Sequence, residues 1–105
     1  MPRIVAKGIK KDDLKKISGE LFDTISNIIE RPREAFTLDL VETVAISDGE
    51  ELSRVRIEIS WVARPIEVCE KVAQAVNNLI KPLNYDRVMV SFNDIDLKKE
   101  FDFVK

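Results

Sequence analysis

The residues best able to do chemistry stand at the start of the sequence. Met1 is followed by Pro2, and an initiator methionine before so small a residue is normally removed, which exposes a secondary amine at Pro2. An α-amino group titrates near neutrality, far below a lysine ammonium, and desolvation or a neighbouring cation lowers it further by disfavouring the charged form. Such an amine serves as a general base at physiological pH. The sequence offers no rival of the usual kind. Without a single His there is no Ser-His or Cys-His nucleophile pair, no imidazole base and no His-containing zinc site.

Other reactive side chains have plainer readings. Cys69 is alone, so it forms neither an intrachain disulfide nor a thiolate cluster, and its apolar helical surroundings make it a small buried hydrophobe. Asp94 and Asp96 read as a solvated cap to the next turn of chain rather than a cation site, so no metal is expected. The glycines at 8, 19 and 49 are too scattered for a phosphate loop. Trp61 and Arg64, three positions apart, stand at the end of a predicted strand. Trp61 continues an apolar face and packs in the core, or else forms the wall of a pocket; Arg64 is a solvated residue before a helix, or else the pocket's anion-binding guanidinium.

Those residues need a scaffold, and 105 residues suffice for one domain, expected over 1–105. A composition of 45% hydrophobic and 34% charged residues fits a compact fold rather than a disordered chain. Seventeen basic against nineteen acidic residues give a net charge of -2, which offers no global attraction to nucleic acid or anionic lipid. No apolar run is long enough to span a membrane, and the start lacks a signal-peptide core, so the expected location is the cytoplasm. The lone cysteine agrees with a reducing compartment.

Hydrophobic period supplies the elements. Pro2 to Lys7 alternates and ends at Gly8, a short strand. Leu14, Ile17, Leu21, Ile25 and Ile28 recur at helical spacing, with Asp12 or Asp13 capping the first turn and Arg31-Pro32 stopping the helix. Phe36 to Ile46 changes to period two, a second strand. After the turn cluster Ser47-Asp48-Gly49-Glu50, Val55, Ile57, Ile59 and Trp61 make a third. Pro65 falls in the first turn of a second helix, whose apolar face is Val68, Val72, Ala75 or Val76, and Leu79. Arg87 to Phe92 is a fourth strand, and Phe101 with Phe103 suggests a short fifth. Strand–helix–strand twice over predicts an α+β fold: one four-stranded mixed sheet with both helices on one face. The other face, with Thr37, Asp39, Thr43, Arg54, Arg56, Glu58 and Ser60, is too polar for a second buried layer and meets water or other subunits.

Element order alone is shared with ferredoxin-like modules. The fourth strand lacks the glycine-aromatic motif of an RNA-binding module, and paired cysteines for a soft metal are missing. Met1-Pro2 opening a strand, the long first helix, Arg31 to Phe36 (RPREAF) and Asp86 to Asp94 (DRVMVSFND) together resemble the tautomerase superfamily, in its macrophage migration inhibitory factor-like form. Arg33 to Leu40 (REAFTLDL) and Glu58 to Arg64 (EISWVAR) resemble, more narrowly, a bacterial family of unknown function placed beside those tautomerases.

The resemblance implies a homotrimer with sites between subunits, the amino-terminal proline as acid–base group, and no cofactor. Pro2 matches that proline, and Arg31 stands where such proteins carry a lysine at the pocket rim. Two places depart from the pattern: Met89 and Ser91 replace a tyrosine and an asparagine, and only Lys10 or Lys11 stands where shorter tautomerases have an arginine. The expected function is keto–enol isomerisation of a small anionic carbonyl compound, with Pro2 as base and Arg31, Arg64 and Trp61 at the substrate. The alternative is an inactive oligomeric binding or regulatory protein on the same scaffold.

Overall fold

A computed structural model describes residues 2–105. Strand β1 (Arg3–Lys7) leads through Gly8 into helix α1 (Lys11–Ile29), and β2 (Thr37–Val41) comes after a single 3-10 turn. Next come two short strands, β3 (Ala45–Ser47) and β4 (Glu50–Leu52), then the long β5 (Arg54–Trp61), helix α2 (Ile66–Ile80) and β6 (Arg87–Asp94). The four longer strands form one sheet in the order β2-β1-β5-β6. Each helix crosses over between parallel partners, α1 from β1 to β2 and α2 from β5 to β6, while β1 and β5 meet antiparallel at the centre. This is the expected α+β architecture with both helices on one face.

Strict alternation assigns the two faces. Ile4 and Ala6 on β1, and Val55, Ile57, Ile59 and Trp61 on β5, have no exposed surface. They pack under Leu14, Ile17, Leu21 and Ile25 of α1 and Val72, Val76 and Ile80 of α2. Val76, not Ala75, therefore belongs to the core. The intervening residues Arg54, Arg56, Glu58 and Ser60 lie on the open face, where Lys7 Nζ reaches Glu58 at 3.0 Å. Cys69 is half-buried against the core rather than wholly inside it. No helix among the described residues is long and apolar enough to cross a membrane.

Four local expectations need correction. The predicted strand from Phe36 to Ile46 breaks after Val41. Asp48 and Gly49 both adopt positive φ, 49° and 82°, the geometry of a two-residue hairpin turn. That turn folds Ala45–Ser47 back onto Glu50–Leu52, so the second half leaves the main sheet. Helix α1 is not capped by an aspartate side chain: its N-cap is Lys10. The Tyr85 hydroxyl accepts the Lys10 N–H at 2.9 Å and donates to Asp13 at 2.6 Å, satisfying the helix start from a distant loop. Pro65 precedes the first turn of α2 as its N-cap, with its carbonyl accepting from Val68. Finally, no strand forms at Phe101 and Phe103, which are 77% and 82% exposed. Glu100 pairs with Arg3 on β1, whose two edges are already taken by β2 and β5, so the tail finds no free backbone to join there.

Candidate active site at the proline end of the sheet

Pro2 directly precedes β1 and is fully buried. Its carbonyl accepts the Thr37 N–H at 3.2 Å. Arg3 is level with Thr37 on one side and Ser60 on the other, so the same register sets Pro2 between Phe36 and Trp61. Trp61 is in turn level with Asp94. Alternation gives Pro2 the sheet face of Ile4 and Ala6, toward the helices and away from bulk water.

Trp61 ends β5 with the Phe92 ring stacked on it, 5.0 Å between centroids. The Arg64 guanidinium carbon lies 4.7 Å from the Trp61 ring centre, a cation–π contact, and Nη1 donates to the Val62 carbonyl at 3.0 Å. Arg64 is therefore held in place by a ring and a backbone oxygen, and no salt bridge to it forms among the described residues. Burial pushes its pKa down from the ordinary arginine value, and the charge of Arg31 pushes the same way, against a smaller opposing influence of Cys69. Two guanidiniums thus share this end of the sheet, and neither forms a salt bridge among the described residues.

Arg31 reaches that place because α1 ends abruptly. Glu30 takes a left-handed conformation, the Arg31 N–H reaches back to the Ser26 carbonyl at 3.4 Å, and the Ser26 hydroxyl donates to the Arg31 carbonyl. Arg33, on the far side of Pro32, is committed elsewhere: it pairs with Asp23 and lies over the Phe22 ring. Arg31 forms no such pair among the described residues. One further donor is unused. The indole Nε1 of Trp61 is buried and has no hydrogen-bond partner among the described residues, although buried donors are rarely left so.

The four site residues expected from the sequence, Pro2, Arg31, Trp61 and Arg64, are thus brought to one end of the sheet. The anticipated removal of Met1 concerns a residue outside those described. None of four clefts among the described residues is lined by any of these four residues. Met89 and Ser91 lie on the open face, level with Arg56 and Glu58, and not beside Pro2. Lys10 and Lys11 stand at the opposite end of β1, lining a cleft of about 690 Å³ with Tyr85. The sequence reading missed Phe92 as the partner of Trp61, although alternation within the fourth strand puts it on the core side. It also missed that Asp94 is level with Trp61. Asp96 does act as a cap, accepting the Lys98 N–H at 3.0 Å.

The sheet order, crossover helices and buried proline ahead of β1 define the tautomerase/macrophage migration inhibitory factor-like α+β fold. A crystal structure of such a factor-like protein from Entamoeba histolytica matches with a TM-score of 0.77 at 16% identity, covering 96% of this chain and 95% of that one. A fused 4-OT, solved as a symmetric trimer, matches at 0.66 and 16%, covering 90% and 84%. A nearer likeness is a domain of unknown function (DUF1904) from Sebaldella termitidis, with a TM-score of 0.89 and 29% identity over 97% of this chain and 95% of that one. The DUF1904 family, described as a domain of unknown function, matches residues 1–102, and the chain belongs to it. No curated protein matches.

Proposed function

We propose that this protein is a tautomerase-like isomerase acting on a small anionic carbonyl compound, with Pro2 as general base once Met1 is removed. The observation that carries the reading is Arg64, fixed over Trp61 beside a second cation, Arg31, neither in a salt bridge among the described residues, at the same end of the sheet as a buried proline. A secondary amine in that apolar setting is favoured in its neutral form, both by desolvation and by cations nearby. It takes a proton from the carbon next to the substrate carbonyl, and the electron pair moves onto the carbonyl oxygen. Arg31 and Arg64 stabilise the developing enolate and hold an anionic group of the substrate, with Trp61 as the rigid platform under Arg64. The proton returns from Pro2 to another atom of the enol system, leaving the enzyme unchanged. In this reading the protein is a homotrimer in which a neighbouring subunit completes the pocket, as sites between subunits are what the fold likeness implies.

The test begins with intact mass, which reports whether Pro2 is amino-terminal. With a free Pro2, enol–keto conversion of phenylpyruvate and of hydroxymuconate-type acids is then measured for wild type and Pro2→Ala. Turnover that falls by about 10²-fold or more in the variant is expected of a lost general base. Full activity in Pro2→Ala, or no turnover from protein with a free proline, overturns the reading. In that event the second reading holds, a non-catalytic oligomeric binding protein, which the complete burial of Pro2 also suits.

A further inference from the structure

The open face of the sheet gathers positive charge at the end away from Pro2. Arg56 is directly level with Lys7 across the antiparallel pair, and Arg54 is directly level with Arg87 across the parallel one. Like charges placed opposite each other in a sheet repel and destabilise it, yet here two such pairs are adjacent. Glu58 neutralises Lys7 in part at 3.0 Å, while among the described residues Arg54, Arg56 and Arg87 form no salt bridge. The Arg56 guanidinium instead reaches the Met89 sulfur at 3.9 Å, a weak acceptor.

Three of these cations converge on a cavity. Lys7, Arg54 and Arg56 line a space of about 210 Å³ closed on its other side by Thr43, Val44 and Ala45, and no acidic residue lines it. Its size is below the roughly 300–1,000 Å³ of pockets that take drug-sized molecules. Two forked guanidiniums and an ammonium supply the charge and the hydrogen-bond donors that a small oxyanion requires. We propose that Lys7, Arg54 and Arg56 form a binding site for a small oxyanion of the phosphate class, carried either as the free ion or as the terminal group of a phosphomonoester. The anion relieves the repulsion within both cross-strand pairs. The site lies on the opposite face of the sheet from Pro2 and at its other end, so it does not depend on the proposed reaction.

Inorganic phosphate titrated into the full chain at constant ionic strength should bind saturably, by calorimetry, and raise the thermal midpoint by mass action. Arg54→Gln should weaken the affinity at least about tenfold, the loss expected for one charge-assisted, forked contact, while leaving the phosphate-free midpoint unchanged or higher. Arg56→Lys keeps the charge but loses the fork, and should weaken binding severalfold; it serves as the second variant if the first does not fold. Arg64→Gln, at the proline end, should retain full affinity. Comparing glycerol phosphate with inorganic phosphate assigns the source: equal or tighter binding of the ester marks a phosphorylated metabolite, and exclusive binding of the ion marks free phosphate. No saturable binding by wild type, or unchanged affinity in both site variants, overturns the proposal.

Discussion

Each end of the sheet holds arginines that form no salt bridge among the described residues, Arg31 and Arg64 at one and Arg54 and Arg56 at the other, and the two ends treat those charges differently. At the proline end Arg64 is drawn over a buried indole, where low polarity and a neighbouring cation depress its pKa. At the hairpin end Arg54 and Arg56 stand on the open face beside a cavity of about 210 Å³. Charge set against a low-polarity wall is screened by solvent on fewer sides than charge in an open groove, which acts more weakly and yields to salt. The first arrangement suits stabilisation of a charge that develops during a reaction, the second the capture of an ion that arrives already charged.

The largest break in this comparison should come from Gly8→Ala, which damages the hairpin end. Gly8 has a φ of 79°, and a Cβ there would meet the Arg54 carbonyl oxygen at 2.1 Å, so the β1–α1 turn would have to move off β5. A loss upward of ~5 kcal/mol, or no soluble folded protein, is expected in denaturant titration. Gly49→Ala is its control, since open space surrounds that position and only its φ of 82° is strained. Trp61→Ala attacks the proline end instead, removing the Phe92 stack and the platform of Arg64. It should cost ~3–5 kcal/mol, measured the same way.

Tyr85→Phe sharpens the comparison at the hairpin end. It removes the hydroxyl that joins Lys10 and Asp13, and a loss of ~1–2 kcal/mol is expected by chemical denaturation at pH 7. Burial raises the Tyr85 pKa above its ordinary 10.0, and donation to Asp13 raises it further. A phenol whose pKa is raised on folding contributes fully below the unfolded value, and that contribution is lost as pH climbs through the folded one. Wild type should therefore lose stability above about pH 10, and Tyr85→Phe should show a flatter alkaline limb. The smallest effect belongs to Arg33→Ala, whose exposed pair with Asp23 should be worth only ~0.5 kcal/mol in thermal melts. If Arg33→Ala instead abolished turnover while Arg31→Ala did not, the assignment of the two cations around Pro32 would be reversed.

Much of the fold was legible because alternation and helical spacing are local. Val55, Ile57, Ile59 and Trp61 mark β5 by period two, and Leu14, Ile17, Leu21 and Ile25 mark α1 by period 3.6, wherever the rest of the chain goes. The break after Val41 was not legible in that way, because Val44 and Ile46 continue the apolar alternation. A two-residue turn at Asp48-Gly49 decided which strand they join. Nor could the cap of α1 be read locally: two aspartates in the first turn look sufficient, whereas Tyr85, far along the chain, meets the Lys10 N–H and engages Asp13.

By itself the sequence determined the kinds of chemistry available. Without histidine and with one cysteine, it leaves no imidazole base, no His-containing metal site and no disulfide within the chain. It also determined the strand–helix–strand rhythm, since burial of one face is written in residue spacing. Only the tertiary structure decided which arginines stand together. Arg31 and Arg64 leave different helix boundaries, and Lys7 and Arg56 belong to strands far apart in sequence; sheet register and crossover geometry bring each pair to one place. Electrostatic function depends on distance in space and on the polarity of what lies between, and neither is a property of sequence separation.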